Sequence, residues 1–370
     1  MSKMTIFTSE SVCAGHPDKI CDQISDAILD EVLKIDPKGK VAIETLVSQN
    51  QVVIAGEVSY NGGKIDFEKT ARDEIKRLGY TNKLFKFTHE SPITLNIHEQ
   101  SKDIAIGVED FGAGDQGMMF GFACDETANF MPLPIELSHQ LAMRLDEVRE
   151  KKILPFLRPD GKTQVSVNYI DDIPHSINNL VIAVPHDEKV SLKKVRLEVF
   201  SKVVKPVLKK YKLKIKQKDF IINGTGVWHI GGPASDTGVT GRKIVVDTYG
   251  GYARVGGGAF SGKDSSKVDR SGAYAARYIA KNIVAHKLAK KAEVRLSYFI
   301  GSKKPTMQEI ETFGTNLVSD EKIKAFAKEI LDTSVVGIIK KLDLQKPQFK
   351  KTASYGHFGR NEFGWEKITR

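Results

Sequence analysis

KVAIETLVSQNQVVIAGEVSY, residues 40–60, decides the fold. Two apolar runs, VAIETLVS and QVVIAGEVS, flank Gln49 and Asn50, the pattern of two antiparallel strands joined by a tight turn. With those two residues as the turn, Glu44 lies opposite Ala55, and Glu57 lies diagonally on the same face. A carboxylate in an apolar strand either points to solvent or needs a cation or hydrogen-bond partner. The residues alone leave both readings open for Glu44 and Glu57. Further strand patterns at 163–170, 180–185, 220–223 and 294–301 fall in groups with helical patterns at 67–78, 133–153, 271–290 and 320–331. Hairpins and grouped elements favour an α+β fold with mixed sheets over one doubly wound parallel sheet. The strand–helix grouping recurs in each third of the chain without a repeat in residue identity.

Upstream of the hairpin, residues 8–19 read TSESVCAGHPDK. Pro17 suits the first position of a helix. Ile20, Ile24, Ala27, Ile28 and Val32 then mark an apolar helix face. His16 and Asp18 therefore sit at a helix start, where free amides favour anions. Asp18, Asp22, Asp26 and Asp30 recur every four residues. A solvated acidic stripe accounts for the last three. It accounts less well for Gly-His-Pro-Asp-Lys, because a helix cap does not need a histidine.

Downstream, residues 247–270 read DTYGGYARVGGGAFSGKDSSKVDR. Five glycines fall between Gly250 and Gly258, and Gly262 follows. Glycine costs about 0.5–1 kcal/mol relative to alanine inside a helix or strand, so this is a loop whose backbone lies close against something. Lys263, Lys267 and Arg270 follow, with Asp264 and Asp269 between them. Bare amides beside fixed cations describe a polyanion cradle, and the interleaved carboxylates point to a metal accompanying the anion. Gly257 to Lys263 fits the first seven residues of a P-loop, but Asp264 stands where that loop needs Ser or Thr for magnesium. Residues 99–117 are polar and glycine-rich, which fits a mobile loop with Asp115 and Gln116 in a tight turn. Residues 152–162 form a loop presenting Arg158, Asp160 and Lys162. Residues 224–243 add Trp228, Asp236, Arg242 and Lys243 among further glycines.

The 370 residues carry 56 basic and 46 acidic side chains, a net charge of +10, which favours an anionic partner. From Asp187 to Lys218 there are twelve Lys or Arg and three acids. There Leu192, Val195, Val199, Val203, Val207 and Tyr211 recur at helical spacing, giving an amphipathic helix with a basic outer face that Pro206 kinks. That face reads as solvated rather than as a nucleic-acid surface. Cys13, Cys21 and Cys124 show no paired spacing, which fits a reducing compartment and no structural zinc. No leader pattern and no apolar run of about 18 residues is present, so the sequence reads as a soluble cytoplasmic protein without membrane contact.

The long motifs together resemble the S-adenosylmethionine synthetase (methionine adenosyltransferase) family. They are the TSES start, Gly-His-Pro-Asp-Lys at 15–19, Gly-Ala-Gly-Asp-Gln-Gly at 112–117, Asp-Thr-Tyr-Gly-Gly at 247–251, Gly-Gly-Gly-Ala-Phe-Ser-Gly-Lys-Asp at 256–264 and Gly-His-Phe-Gly at 356–359. The likeness runs over nearly the whole chain. It implies three similar sheet-plus-helix domains in a pseudo-threefold α+β fold, divided here as 1–100, 118–229 and 230–370 with 101–117 as a mobile loop. It implies a homodimer with active sites at the subunit interface, paired again into a homotetramer, and no nucleic-acid partner. The implied reaction joins ATP and methionine into S-adenosylmethionine, phosphate and diphosphate, with Mg2+ (two per site) and K+. By motif, His16, Lys162, Arg242, Lys243 and Lys263 would contact the triphosphate. Asp160, Asp236 and Ala259 would line the nucleotide site, and Trp228 would lie near the adenine. Asp18 and Asp269 would hold magnesium, and Glu44 would help bind potassium. Glu57, Gln100, Asp115, Asp236 and Lys267 would line the methionine side. The chain departs from the family pattern at Val227, in place of arginine, at Cys13 and Ala14, in place of Ser-Glu, and in a shorter stretch between Gln100 and Gly112.

The residues agree with that chemistry. A thioether sulfur carries no proton, so its attack on the ribose C5′ carbon needs no general base, and no Ser-His-Asp or Cys-His arrangement is evident. The task is to stabilise a departing polyanion while a sulfonium forms. Two rivals share some features: another nucleotide-dependent phosphotransferase or ATPase using the same cradle, and a basic nucleic-acid-binding protein acting through residues 187–218. The second leaves the glycine–lysine–aspartate loops without a purpose.

Overall fold

The computed structural model describes residues 3–99 and 112–369. The hairpin is present as read: β2 (Lys40–Ser48) and β3 (Gln51–Ser59) pair antiparallel with Ser48 opposite Gln51 and Glu44 opposite Ala55. Asn50 takes the positive φ of +52° that this tight turn requires. Val41, Ile43, Thr45 and Val47 face inward, and Glu44 and Leu46 face outward, the period-2 alternation of a sheet with one packed face.

Around the hairpin the described residues form three sheets. The first is ordered β4 (Ile93–His98), β3, β2, β9 (Gly238–Val239), with β4 parallel to β3. The second is ordered β1 (Met4–Val12), β6 (Lys162–Ile170), β7 (Ile173–Ala183), β8 (Phe220–Ile222). The third is ordered β11 (Met307–Glu311), β10 (Lys291–Tyr298), β5 (Gly117–Cys124). Each sheet recruits a strand from far along the chain: β9 joins the 40–59 hairpin, β1 joins the 162–183 hairpin, and β5 joins β10. Strands β1, β5 and β11 carry no strong alternation bounded by turn residues, and the sequence reading did not assign them; β4 (ITLNIH) does alternate after Ser91-Pro92, and that signal was overlooked.

A long helix covers the inner face of each sheet. Helix α1 (Pro17–Ile35) lies on β2, α3 (Leu133–Glu150) on β1 and β6, and α6 (Val268–Ala285) on β5 and β10. The shorter α2 (Phe67–Arg77) packs on α1, and α7 (Asp320–Ile330) and α8 (Val335–Lys341) pack on α6. One hydrophobic core joins α1, the first sheet, α6 and the third sheet. A second fills the space between α3, the second sheet and the basic helix. The result is a three-part, mixed-sheet α+β architecture.

The aspartate stripe of α1 is not solvated. Asp22 and Asp26 are completely buried and Asp18 nearly so, while Asp30 is half-buried. Buried carboxylates need partners, and each finds them in a distant segment. Asp18 accepts from the Val239 amide, Asp22 from the Gly241 amide, Asp26 from the Gly262 amide, and Asp30 from the amides of Gln348, Phe349 and Lys350. The four-residue repeat puts the carboxylates in one row along the helix, and that row ties the catalytic-looking loops to α1. The apolar residues of α1 signalled one packed face; the second packed face is polar, which periodicity of apolar residues cannot reveal.

The basic helix runs as α4 (Leu192–Val199), a π turn (Phe200–Val204) and α5 (Lys205–Lys210). Val195, Val199, Val203 and Val207 are buried along its inner face. Pro206 has no N–H to give the carbonyl four residues earlier. That carbonyl, of Lys202, accepts from Arg144 Nε at 3.0 Å instead, and the π turn takes up the strain that the sequence reading assigned to a kink.

Candidate active site

His16 caps α1. Its Nδ1 accepts from the Asp18 amide at 3.2 Å, so the histidine serves as a cap after all. With Nδ1 accepting, the ring proton sits on Nε2, which leaves an N–H donor for a ligand oxygen. Burial, with the nearby Lys243 and Lys162 ammoniums, lowers the His16 pKa to about 3. The imidazole is therefore a neutral donor at physiological pH.

Asp18 follows in the first helical turn. Its Oδ1 accepts from Val239 N at 3.0 Å, and its Oδ2 meets Lys243 Nζ at 2.5 Å. Burial pushes this carboxyl up, but the Lys243 ammonium and the Val239 amide outweigh it and hold it below the ordinary range. Arg242 Nη1 stands 3.9 Å from the same carboxylate and is otherwise largely exposed.

The 160-loop approaches from the other side. An added Cβ on Gly15 would meet Pro159 O at 2.4 Å, so only glycine lets the two loops touch. Asp160, read from the sequence as one of the side chains the 152–162 loop presents, is buried. It accepts from Gly161 N at 2.7 Å and from Gly232 N at 2.8 Å, and burial raises its pKa to about 6 despite those amides. It thereby clamps the 224–243 segment. On that segment Trp228 is half-buried, with Nε1 donating to Ile230 O, and Val227 before it is exposed. Asp236 is exposed, and its carboxylate has no hydrogen bond or ion pair among the described residues. The Lys162 ammonium is likewise exposed and without an anionic partner there.

The glycine-rich loop closes the cradle. Gly262 adopts φ +80°, and an added Cβ there would lie 2.0 Å from Ile43 O. This close approach lets Ile43 N donate to Gly262 O and Asp264 N donate to Val41 O, so the loop extends the edge of β2. The register sets Lys263 beside Ala42, which itself pairs with Glu57. Lys263, Glu44 and Glu57 therefore share the outer face of the first sheet. Glu44 points outward without a polar partner among the described residues, and Glu57 Oε1 lies 3.3 Å from His98 Nε2.

Lys263 Nζ is 2.6 Å from Oδ2 of Asp269, in the first turn of α6. The backbone presses against that carboxylate: added Cβ atoms on Gly257 and Gly258 would lie 2.9 and 2.1 Å from its oxygens. Gly241 similarly abuts Ala259, the added Cβ falling 2.3 Å from the alanine methyl, which joins the Arg242–Lys243 segment to the glycine loop. Lys267 pairs with Asp264. Asp115 lies next to it in space, because the Gly114 amide donates to Ser266 O. Gln100 lies outside the described residues. Among the described residues no contact links Asp236 to Glu57 or Asp115, so the methionine-side residues are gathered only in part.

Sequence reasoning missed the support beneath these groups. Lys19 Nζ bonds both Asp22 Oδ2 at 2.8 Å and Asp247 Oδ1 at 2.5 Å. The Gly-His-Phe-Gly motif lies behind α6 rather than in the cleft: His357 Nδ1 is 2.7 Å from Tyr274 Oη, which also accepts from Arg270 Nε.

The donor set fits hard cations. Asp18 and Asp269 offer carboxylate oxygens beside the cradle, and no group of three or more His, Cys, Asp or Glu forms a metal cage among the described residues. Magnesium is commonly held by one or two carboxylates, with substrate phosphates and water completing the shell. The two carboxylates therefore suit a cation that arrives with a polyphosphate.

Comparison with known proteins agrees with this chemistry. The N-terminal, central and C-terminal domains of S-adenosylmethionine synthetase match residues 4–102, 110–228 and 230–367. The S-adenosylmethionine synthase of Sulfurovum sp. (strain NBC37-1) is 50% identical over 377 residues, covering 100% of this chain and 97% of that protein. The enzyme of the same name from Mesoplasma florum is 49% identical over 372 residues, covering 99% and 98%. With three domain matches in order and identity near one half along the full length, the chain belongs to the S-adenosylmethionine synthetase family.

Proposed function

We propose that this chain is a methionine adenosyltransferase whose polyanion cradle is the device that makes the reaction run. The enzyme makes S-adenosylmethionine: the methionine sulfur attacks ATP at C5′, the triphosphate departs, and water then splits it into phosphate and diphosphate. The observation that carries the assignment of residues is that α1 anchors both glycine-rich loops: Asp18 beside His16 holds Val239 and Lys243, Asp22 holds Gly241, and Asp26 holds Gly262, the residue before Lys263. Preorganised donors aimed at developing negative charge are the largest single source of catalysis in such sites.

In our reading, His16 donates Nε2–H to the triphosphate, and Lys162, Arg242, Lys243 and Lys263 neutralise it. Lys243 and Lys263 stand ready by resting on Asp18 and Asp269. Asp160 and Ala259 fix the nucleotide loops, and Trp228 lies by the adenine, with Val227 beside it. Asp115, Asp236, Glu57, Gln100 and Lys267 receive methionine and offset the sulfonium charge. Asp18 and Asp269 hold two magnesium ions, which when bound neutralise charge on the leaving polyphosphate. Glu44 helps to hold potassium.

The same reading makes the active unit a homodimer paired through the sheets, and then a homotetramer. Leu46, Leu95 and Met118, exposed on the sheets, support it, as does the outward carboxylate of Glu44, which has no polar partner among the described residues. In this reading the chain divides at 101–117 and near 229–230; the matched segments meet at 228–230, and the central one begins at 110. A cytoplasmic location rests on three free, buried cysteines; among the described residues no helix is long and apolar enough to cross a membrane.

The test is incubation with ATP, magnesium and potassium, with and without methionine. S-adenosylmethionine, phosphate and diphosphate should form together in equal amounts, and only with methionine. Phosphate release without methionine and without a sulfonium product would overturn the assignment.

A further inference from the structure

The nucleotide chemistry does not use the basic helix. From Phe200 to Lys218 the chain holds eight lysines and no acid. None of the eight forms an ion pair among the described residues. Between α5 and the segment that follows it lies an open groove of about 490 Å³, within the range of small-ligand sites. Val204 and Leu208 form its floor, with half-buried Phe200, Leu213 and Ile215 as walls. Phe200, Val204 and Leu208 recur every fourth residue through the π turn and α5, an apolar row along the floor of the groove. Leu213 and Ile215 alternate with lysines along an extended stretch that returns past the helix, so the trough has cations on both edges. Lys205, Lys209, Lys212 and Lys214 form those edges, and among the described residues their ammoniums are the only polar side-chain groups lining it.

We propose that this groove binds a single-chain anionic amphiphile, a free acyl carboxylate, with its aliphatic chain in the trough and its head on the lysine rim. Three features select this ligand. The floor is linear and wholly apolar, so it rewards methylenes and offers no side chain to orient a polar body. The rim is cationic and unneutralised, so it complements an anionic head and no other kind. The apolar surface is concave, which suits an inserted chain and not the flat surface of a bilayer. Nucleic acid is disfavoured because the one aromatic ring, Phe200, is already occupied. Its ring packs 5.3 Å from Phe220 and lies beneath Lys205, leaving no free face for stacking bases. The π turn at Phe200–Val204 shapes the floor, and such turns recur at functional sites.

Calorimetric titration of the full chain with octanoate, decanoate and dodecanoate, below their micelle concentrations, tests this. Affinity should rise roughly tenfold for each two added methylenes. It should fall as salt is raised, and the uncharged alcohol of equal length should bind at least tenfold more weakly. Leu213→Asp, and separately the surface replacement of Lys205, Lys209, Lys212 and Lys214 by Gln, should each weaken dodecanoate at least tenfold while leaving the rate of S-adenosylmethionine formation without added ligand unchanged. Affinity that ignores chain length, or that survives both variants, would overturn the proposal. So would tight binding of an RNA oligonucleotide or an acidic peptide that dodecanoate fails to displace.

Discussion

Asp26 and Arg270, 244 residues apart, form a bidentate pair with no exposure to solvent: Nη1 meets Oδ1 at 2.7 Å and Nη2 meets Oδ2 at 2.8 Å. The same Asp26 Oδ1 accepts from Gly262 N, and Arg270 stacks over Phe349 at 4.2 Å. One buried carboxylate thus fixes α1, the glycine-rich loop and α6 relative to each other. Removing one partner of such a pair strands the other charge and typically costs about 3–5 kcal/mol. Asp26→Asn should therefore lower the unfolding free energy, measured by denaturant titration, by an amount in that range. The double change Asp26→Leu with Arg270→Met should cost less than the sum of the singles. A loss under about 1 kcal/mol for Asp26→Asn would show that the pair is not structural.

His16 gives a pH signature. Its pKa is lowered to about 3 in the folded chain against an ordinary value near 6.5. Between those values the unfolded chain binds a proton that the folded chain does not, so stability falls as pH drops through that window. His139, buried and also lowered to about 3, acts in the same direction. His16→Asn keeps a side-chain cap for α1 and removes one of these protons. The dependence of unfolding free energy on pH between 5.5 and 4 should be shallower by about 1.4 kcal/mol per pH unit in that variant. An unchanged slope would mean that His16 titrates normally in the folded state.

Local structure was legible where local chemistry sets it. Gln49 and Asn50 announced the turn, Pro17 the start of α1, and Val195, Val199 and Val203 the inner face of the basic helix. What stayed hidden depends on partners far along the chain. The pairing of Met4–Val12 with Lys162–Ile170 leaves no trace in either strand. Asp22 and Asp26 looked like solvated acids because the amides that hold them, of Gly241 and Gly262, and the Arg270 guanidinium stand more than 200 residues away. The cradle residues were legible as residue types in motifs. That Asp160 is a buried clamp, or that Glu44 shares a sheet face with Lys263, follows only from register.

Gly262 is held by geometry rather than by composition. An alanine there would need φ near +80° and would place its Cβ 2.0 Å from the Ile43 carbonyl oxygen, a backbone atom. The left-handed region alone costs roughly 1–2 kcal/mol for a residue with a Cβ, and the clash lifts Lys263 off the edge of β2. Gly262→Ala should lower both thermal stability and kcat, the latter by more than tenfold. Gly63→Ala, where an added Cβ meets nothing within 4 Å, should change neither. Full activity in Gly262→Ala would show that the loop docks in another way.

Lys263 separates binding from chemistry. Its ammonium rests on Asp269 and faces the sheet surface that carries Glu44 and Glu57. A group that stabilises charge appearing only as the triphosphate leaves should act on kcat more than on KM. Lys263→Ala should reduce kcat by about 10²–10³, the range for loss of one preorganised donor, with a change in methionine KM of only a few fold. A raised methionine KM at unchanged kcat would move Lys263 from the leaving group to the methionine side.

Asp18 distinguishes a metal ligand from a lysine rest. Its Oδ2 holds Lys243, and its Oδ1 holds the Val239 amide. Asn preserves the second bond but carries no charge for either a lysine or a cation. If Asp18 binds magnesium with the polyphosphate, Asp18→Asn should raise the magnesium concentration needed for half-maximal activity at least tenfold, and excess magnesium should restore part of the rate. If Asp18 serves only to position Lys243, the magnesium titration should match the wild type while kcat drops at every magnesium concentration. Lys243→Ala supplies the contrast, since it removes the lysine and leaves the carboxylate. That variant should lower kcat without the tenfold shift in magnesium demand, and a shift equal to that of Asp18→Asn would assign the effect to the ion pair instead of the metal.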